Sequence, residues 1–203
     1  LVVDIQSDFL PGGPLGIERG EEVVAPIARL MASDRFGLCV ATQDWHPPGH
    51  LSFASSHPGR RPFEVIELYG REQVLWPDHC VQGTPGAQLL AGMPWEKVSA
   101  VIRKGTDRAV DSYSGFRNNW EPGGTRTPTG LGGYLRERGV TEISLCGLAR
   151  DYCVLWSAED AAEAGFGVTV LWDLTRPVDP ASDERVRAAL LARGVVLREG
   201  PGL

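Results

Sequence analysis

Cys153 lies within GLARDYCVLWSAEDA (Gly147–Ala161), after a glycine-led turn, two residues behind Asp151 and ahead of a helical pattern. A thiol is weakly ionised at neutral pH unless a cation or a helix N-terminus stabilises the thiolate. The first turn of a helix offers both unpaired N–H groups and the positive end of the helix dipole. Lys104, closing SAVIRK, is a cation able to stand beside such a sulfur. Asp4, closing the first apolar run, could take the thiol proton and later pass it to a leaving amine. These three residue types together suit acyl transfer through a covalent intermediate. The other reading is a small buried cysteine with an unrelated surface Lys–Asp pair, and spacing alone leaves both open.

A second group suits a metal. In QDWHPPGHLSF, Asp44 and His46 alternate along an extended segment, so both side chains can face the same side. His79 in LWPDHCVQGTPGA adds an imidazole, and His50 and His57 are further candidates in the same long loop. One carboxylate with imidazoles suits Zn²⁺, Fe²⁺ or Mn²⁺ better than Ca²⁺. Loop histidines are also often merely solvated, which is the competing reading.

The elements that must carry these groups alternate. LVVDI, GLCVATQD, VSAVIRKG, EISLCGLA and VTVLWDL read as buried strands, with GVVL as a late edge strand. Helical patterns run over Glu21–Ser33, Thr127–Arg138, Asp151–Ala164 and Ala181–Arg193. Thr127–Pro128 suits an N-cap and first turn, and Gly139 a C-terminal stop. Such alternation predicts an α/β fold, a doubly wound and mostly parallel sheet with helices on both faces. Ligands in such sheets bind beyond the carboxyl ends of the strands. Asp4, Asp44, Lys104 and the Gly147 turn each close a different strand pattern, so one edge should collect them. Pro47–Pro85, rich in Gly, Pro and aromatics, reads as a long functional loop.

With 203 residues, no internal repeat and no linker, the chain reads as a single domain over 1–203. A net charge of −6 argues against nucleic acid or an anionic membrane as partner. No apolar run reaches the length of a membrane span, and no signal peptide is visible. The chain starts at Leu1 inside a strand pattern, which suggests that the natural one begins earlier. Four scattered cysteines suit free thiols in a reducing, cytoplasmic setting. Cys39 and Cys146 sit in apolar runs and read as core.

VVDIQSDF followed by GG, then QDWHPPGHLSFASSHPG, LWPDHCVQGTPGAQL, RKGTDRAVDSYSGF and CGLARDYCV, occur in that order from residue 2 to about 165. Together they resemble the nicotinamidase/pyrazinamidase family, within the isochorismatase-like cysteine hydrolases. The resemblance implies a metal-containing amidohydrolase taking nicotinamide to nicotinate and ammonia, and pyrazinamide to pyrazinoate, through a Cys thioester. It implies Asp4 as general acid/base, Lys104 as the thiolate's cation and Cys153 as nucleophile. Asp44, His46 and His79 match the metal ligands for one Zn²⁺, with Fe²⁺ or Mn²⁺ as alternatives; His50 aligns with a ligand found in only some members. The backbone N–H groups of Ala149 and Cys153 match the oxyanion hole, with a cis peptide expected between Leu148 and Ala149. Phe9, Trp76 and Tyr113 match the residues that box the pyridine ring, against a plain reading as aromatic core. Arg150 departs from the family, which usually has a small hydroxyl residue there; a long cation could alter helix capping or reach substrate or a neighbouring subunit. A homo-oligomer is left open. The alternatives are a related amidase acting on a carbamoyl or maleamate-like substrate without the metal, and a non-enzymatic interaction module. The second should have lost a catalytic residue, and none is missing.

Overall fold

A computed structural model describes residues 1–200. Residues 201–203, the end of the expected domain, lie outside the described residues. The strands are β1 (Val2–Val3), β2 (Val40–Asp44), β3 (Val65–Leu68), β4 (Arg71–Val74), β5 (Ala100–Lys104), β6 (Glu142–Leu148), β7 (Gly167–Arg176) and β8 (Val196–Arg198). The helices are α1 (Val24–Ala32), α2 (Leu131–Glu137), α3 (Leu155–Glu163) and α4 (Asp183–Ala192).

Six strands form one sheet in the order β5-β2-β1-β6-β7-β8, and every pairing in it is parallel. Strand order therefore reverses between β1 and β6, the switch point where such sheets open a crevice. The alternating strand residues feed two cores. Val2, Cys146, Leu148 and Leu171 pack with Ile27 and Met31 of α1 on one face. Val3, Leu145 and Val170 pack with Leu131 and Leu135 of α2, Leu155, Ala158 and Ala161 of α3, and Val186 and Leu190 of α4 on the other. The apolar positions at i, i+3 and i+4 spacing explain why these segments are helical. Pro26 is tolerated because it falls in the first turn of α1, where its missing N–H has no helical partner to lose. Among the described residues no helix is long and apolar enough to cross a membrane.

Two sequence expectations are corrected. α2 starts at Leu131 rather than Thr127. Pro128 is held extended against Arg117, and the capping hydroxyl is that of Thr129, which accepts from Leu131 N at 3.2 Å and donates to Gly115 O at 2.6 Å. The stretch 47–85 is not all loop, because it contains the antiparallel hairpin β3–β4. Its two-residue turn, Tyr69–Gly70, takes positive φ at both positions, and a tyrosine there gives none of the usual Asn-Gly or Asp-Gly signal.

Candidate active site

Asp4 follows β1 directly, in a left-handed conformation with φ 48°, and is fully buried. Thr42 of β2 fixes it twice: its hydroxyl donates to Asp4 Oδ1 at 2.6 Å and accepts from Asp4 N at 3.2 Å. Neighbouring β6 can run close to β1 because of Gly147, where an added Cβ would collide with the backbone of Val3. β6 then ends in a cis peptide between Leu148 and Ala149 and passes into a π-helical turn, Arg150–Val154, ahead of α3. Cys153 thus sits in a wide turn before the helix rather than in a regular first α-turn.

Lys104, the last residue of β5, ties the site together. Its Nζ lies 2.9 Å from Asp4 Oδ2, 2.9 Å from Asp44 Oδ1, 3.1 Å from Ser112 O and 3.4 Å from Cys153 Sγ. Both the lysine and the two carboxylates are buried, so the surface-pair reading of Asp4 and Lys104 does not apply. Apart from this ion pair, Asp4 Oδ2 has no hydrogen bond of its own. Burial opposes the ammonium, yet Asp4 and Asp44 outweigh it and hold Lys104 well above its ordinary pKa. Burial raises the Asp4 carboxyl, with Lys104 opposing. For Cys153 burial also dominates, and with Asp4 and Asp44 it overrides Lys104 and pushes the thiol well up. The cation pulls the thiol in the expected direction, but desolvation and the two carboxylates are stronger.

The metal candidates converge beside this group. Asp44 Oδ2 lies 3.0 Å from His46 Nε2 and 3.3 Å from His79 Nε2. Offering one ligand atom each, the three side chains bring those atoms within 4.8 Å of one another. His46 Nδ1 is 3.1 Å from Gly105 O and His79 Nδ1 is 2.8 Å from Pro77 O. A carbonyl only accepts, so both rings carry a proton on Nδ1 and turn Nε2 towards the carboxylate. One divalent cation between them satisfies two imidazole lone pairs and a carboxylate oxygen at once, so the donor set fits a transition metal. Gly105 has φ 63° and leaves room that a Cβ would take from the His46 ring. Gln6 clamps the backbone of Asp44, accepting from its N–H and donating to its carbonyl, each at 2.8 Å. His50 differs from the other two histidines. Its Nδ1 accepts from Ser52 N at 3.2 Å, its Nε2 faces Val110 O at 3.3 Å, and it groups with His46 and Asp111 rather than with Asp44 and His79. His57 bonds Leu51 O at 2.7 Å, outside the cluster.

A cavity opens on these groups, lined by Cys153, Ala149, Asp44, His46 and His79 and walled by Phe9, Trp76 and Tyr113. Trp76 Nε1 donates to Tyr113 Oη at 3.2 Å, and the rings meet edge to face. The three aromatic residues are thus buried yet line one space, which joins the box and core readings. Asp111 and Tyr152 also line it. Neither was singled out in the sequence, nor was Gln73, which donates to Asp111 Oδ2 at 2.9 Å and Tyr113 Oη at 3.0 Å. Asp111 lay within a quoted motif, whereas Gln73 enters through the unrecognised hairpin.

The family described as Isochorismatase domain matches residues 1–198. A nicotinamidase of Acinetobacter baylyi is 42% identical over 196 residues, 96% of this chain and 89% of that protein. The chain belongs to the nicotinamidase branch of the isochorismatase family. Among solved structures, the Acinetobacter baumanii nicotinamidase/pyrazinamidase superposes with a TM-score of 0.91 at 41% identity, covering 98% of this chain and 93% of that one. The pyrazinamidase of Pyrococcus horikoshii in complex with zinc superposes with a TM-score of 0.78 at 33% identity, covering 98% and 97%. As a nicotinamidase-family chain, this one delivers its candidate residues to one crevice of an all-parallel sheet. Arg150 turns inward, is 5% exposed and does not line the cavity.

Proposed function

We propose that this chain, acting as a single domain, is a metal-containing cysteine amidohydrolase that converts nicotinamide to nicotinate and ammonia. The observation that carries the reading is the buried chain of contacts from Cys153 Sγ through Lys104 Nζ to both Asp4 and Asp44, opening on an aromatic-walled cavity. The zinc-bound relative and the converging Asp44, His46 and His79 support a divalent transition metal, with Zn²⁺ the first choice. When bound, the ion supplies a Lewis-acid site for the pyridine nitrogen.

Asp4 Oδ2, lacking any hydrogen bond of its own, takes the proton of Cys153. The sulfur adds to the amide carbon while the carbonyl π pair moves to oxygen. The backbone N–H groups of Ala149 and Cys153 hold that oxyanion, the place where preorganised donors contribute most. Asp4 passes its proton to the amide nitrogen, the C–N bond breaks, and ammonia leaves a thioester. Water then adds to the thioester carbon, giving its proton to Asp4. The C–S bond breaks, and the sulfur regains a proton. Lys104 keeps its charge throughout and offsets whichever of its neighbours is anionic. Phe9, Trp76 and Tyr113 hold the flat ring. Pyrazinamide, a ring of the same shape, fits the same box.

Ammonia release from nicotinamide, measured with and without a chelator, tests the reading. Chelator-sensitive release is expected. Release from a carbamoyl or maleamate-like amide but not from nicotinamide would replace it with the metal-independent amidase.

A further inference from the structure

The register between β6 and β7 breaks where the nucleophile turn begins. Leu145 pairs with Val170, but Gly147 pairs with Thr175 and Leu148 with Arg176, so β7 bulges opposite Cys146. A bulge takes backbone carbonyls out of the ladder and leaves them needing donors. Arg150, only 5% exposed, supplies them from the turn itself. Its Nη2 donates to Trp172 O at 3.1 Å and to Thr175 O at 2.8 Å. Its Nε donates to Thr175 Oγ1 at 2.8 Å, and its Nη1 to both carboxylate oxygens of Asp183, at 2.8 and 2.7 Å, where α4 begins. The guanidinium also stacks 4.0 Å over the Trp172 ring. Five donors in a planar fork are thereby matched to five bonds, which a lysine cannot reproduce.

The bulge and the turn are two ends of one joint. Thr175 and Arg176 pair with Gly147 and Leu148, the residues that lead into Ala149, while Arg150 follows Ala149 directly. We infer that Arg150 is a positioning residue for the oxyanion hole: it locks the β7 bulge and the start of α4 to the turn that carries the Ala149 and Cys153 N–H groups. The inference rests on the proposed role of Cys153 and of those donors. Arg150 touches no substrate. It acts by holding donors where charge develops, and a displacement on the order of 1 Å can lower a rate about a hundredfold. Phe9, Trp76 and Tyr113 belong to other segments and meet the turn only through Tyr152, so ring binding changes less than oxyanion binding.

The test uses Arg150→Lys with the full chain loaded with metal, and Asp183→Asn as a milder second variant that removes one side of the clamp. Turnover of nicotinamide is measured together with the affinities of two probes. Nicotinate carries the ring with no oxyanion to form. Pyridine-3-carbaldehyde accepts the Cys153 sulfur at its carbonyl carbon: the thiol proton passes to Asp4, the π pair goes to oxygen, and that oxygen sits in the hole. Arg150→Lys is expected to lower kcat by about tenfold to a hundredfold, with KM and nicotinate affinity within about twofold. Aldehyde affinity should fall by the same factor as kcat/KM, and Asp183→Asn should fall between wild type and Arg150→Lys on that line. If Arg150→Lys fails to fold, Asp183→Asn carries the same comparison. A lowered melting temperature with kcat and aldehyde affinity unchanged would overturn the inference and leave Arg150 a structural residue. Equal losses for nicotinate and aldehyde would overturn it too, by making the ring pocket the thing that moved. A wild type that releases no ammonia from nicotinamide would instead sink the amidase reading itself.

Discussion

Replacing Lys104 with methionine removes the ammonium that touches both Asp4 and Asp44 while filling nearly the same volume. Nζ is 2.9 Å from each carboxylate, and lysine, Asp4 and Asp44 are all essentially inaccessible to water. Taking one partner from a buried ion pair costs about 3–5 kcal/mol, because the remaining charge is left desolvated and unpaired. Asp4 is orphaned outright, while Asp44 keeps His46 and His79 beside its other oxygen, so the whole of that range applies. Against a total stability of about 5–15 kcal/mol that is a large fraction. With a urea m-value near the top of the usual ~1–3 kcal/mol per molar, the midpoint should fall by about 1–2 M. The measurement belongs in excess chelator, so that differences in bound metal do not enter. Most of the loss belongs to the stranded carboxylates rather than to the lysine itself. Adding Asp4→Asn to Lys104→Met should therefore recover about 1–3 kcal/mol, since asparagine still accepts from Thr42 and carries no charge. A midpoint for Lys104→Met within about 0.5 M of wild type would refute the reasoning. So would a double variant whose loss equals the sum of the two single ones to within about 0.5 kcal/mol.

Purified protein should carry close to one divalent transition metal per chain, and His46→Ala or His79→Ala should lose it by elemental analysis. His50→Ala should keep its metal, because both ring nitrogens of His50 already serve Ser52 and Val110; loss there would bring His50 into the ligand set. Asp4→Asn should lower turnover by more than about a hundredfold, while nicotinate still binds; near-normal turnover would remove Asp4 from the proton path. Cys153→Ala deletes a single buried sulfur, about 1 kcal/mol, and should shift the melting temperature by no more than about 4 °C while abolishing turnover. Wild type quenched during turnover should show a nicotinoyl adduct on the peptide holding Cys153, and an adduct on Cys80 would redirect the mechanism.

Strand existence and helix faces were legible because apolar periodicity depends on local spacing that survives in one dimension. So were the strand-end charged residues, since a parallel sheet sends Asp4, Asp44 and Lys104 to one edge whatever the register. What could not be read were features set by two distant segments at once. The Thr42 hydroxyl becomes a clamp on Asp4 only because β1 and β2 pair. Gln73 reaches Tyr113 and Asp111 only because Tyr69 accepts a left-handed φ and closes a hairpin. The balance of charges on Cys153 was hidden for the same reason. In the sequence Lys104 is the salient charge, yet in the fold Asp4 and Asp44 share its ammonium and burial works on all of them. The inward bonds of Arg150 could not be read because the carbonyls it serves lie at a bulge that no local pattern announces.

The position of the ammonium ties these observations to function. A lone lysine beside a cysteine would lower the thiol's pKa and leave a permanent thiolate, open to alkylation and oxidation. Lys104 is instead shared between Asp4, the proposed proton acceptor, and Asp44, a metal candidate, and burial with these carboxylates pushes the Cys153 thiol up. Moving the proton from sulfur to Asp4 shifts negative charge from Asp4 Oδ2, 2.9 Å from Nζ, to Sγ, 3.4 Å from Nζ. The two states differ little in Coulomb energy with the same cation, so the transfer needs no rearrangement of the buried charges. In the proposed mechanism the thiolate then forms when a carbonyl carbon is present to receive it. A cation placed for sulfur alone would not give that coupling, and the strand order, with β5 and β2 beside β1 and the Cys153 turn after β6, is what brings all four groups within reach of one another.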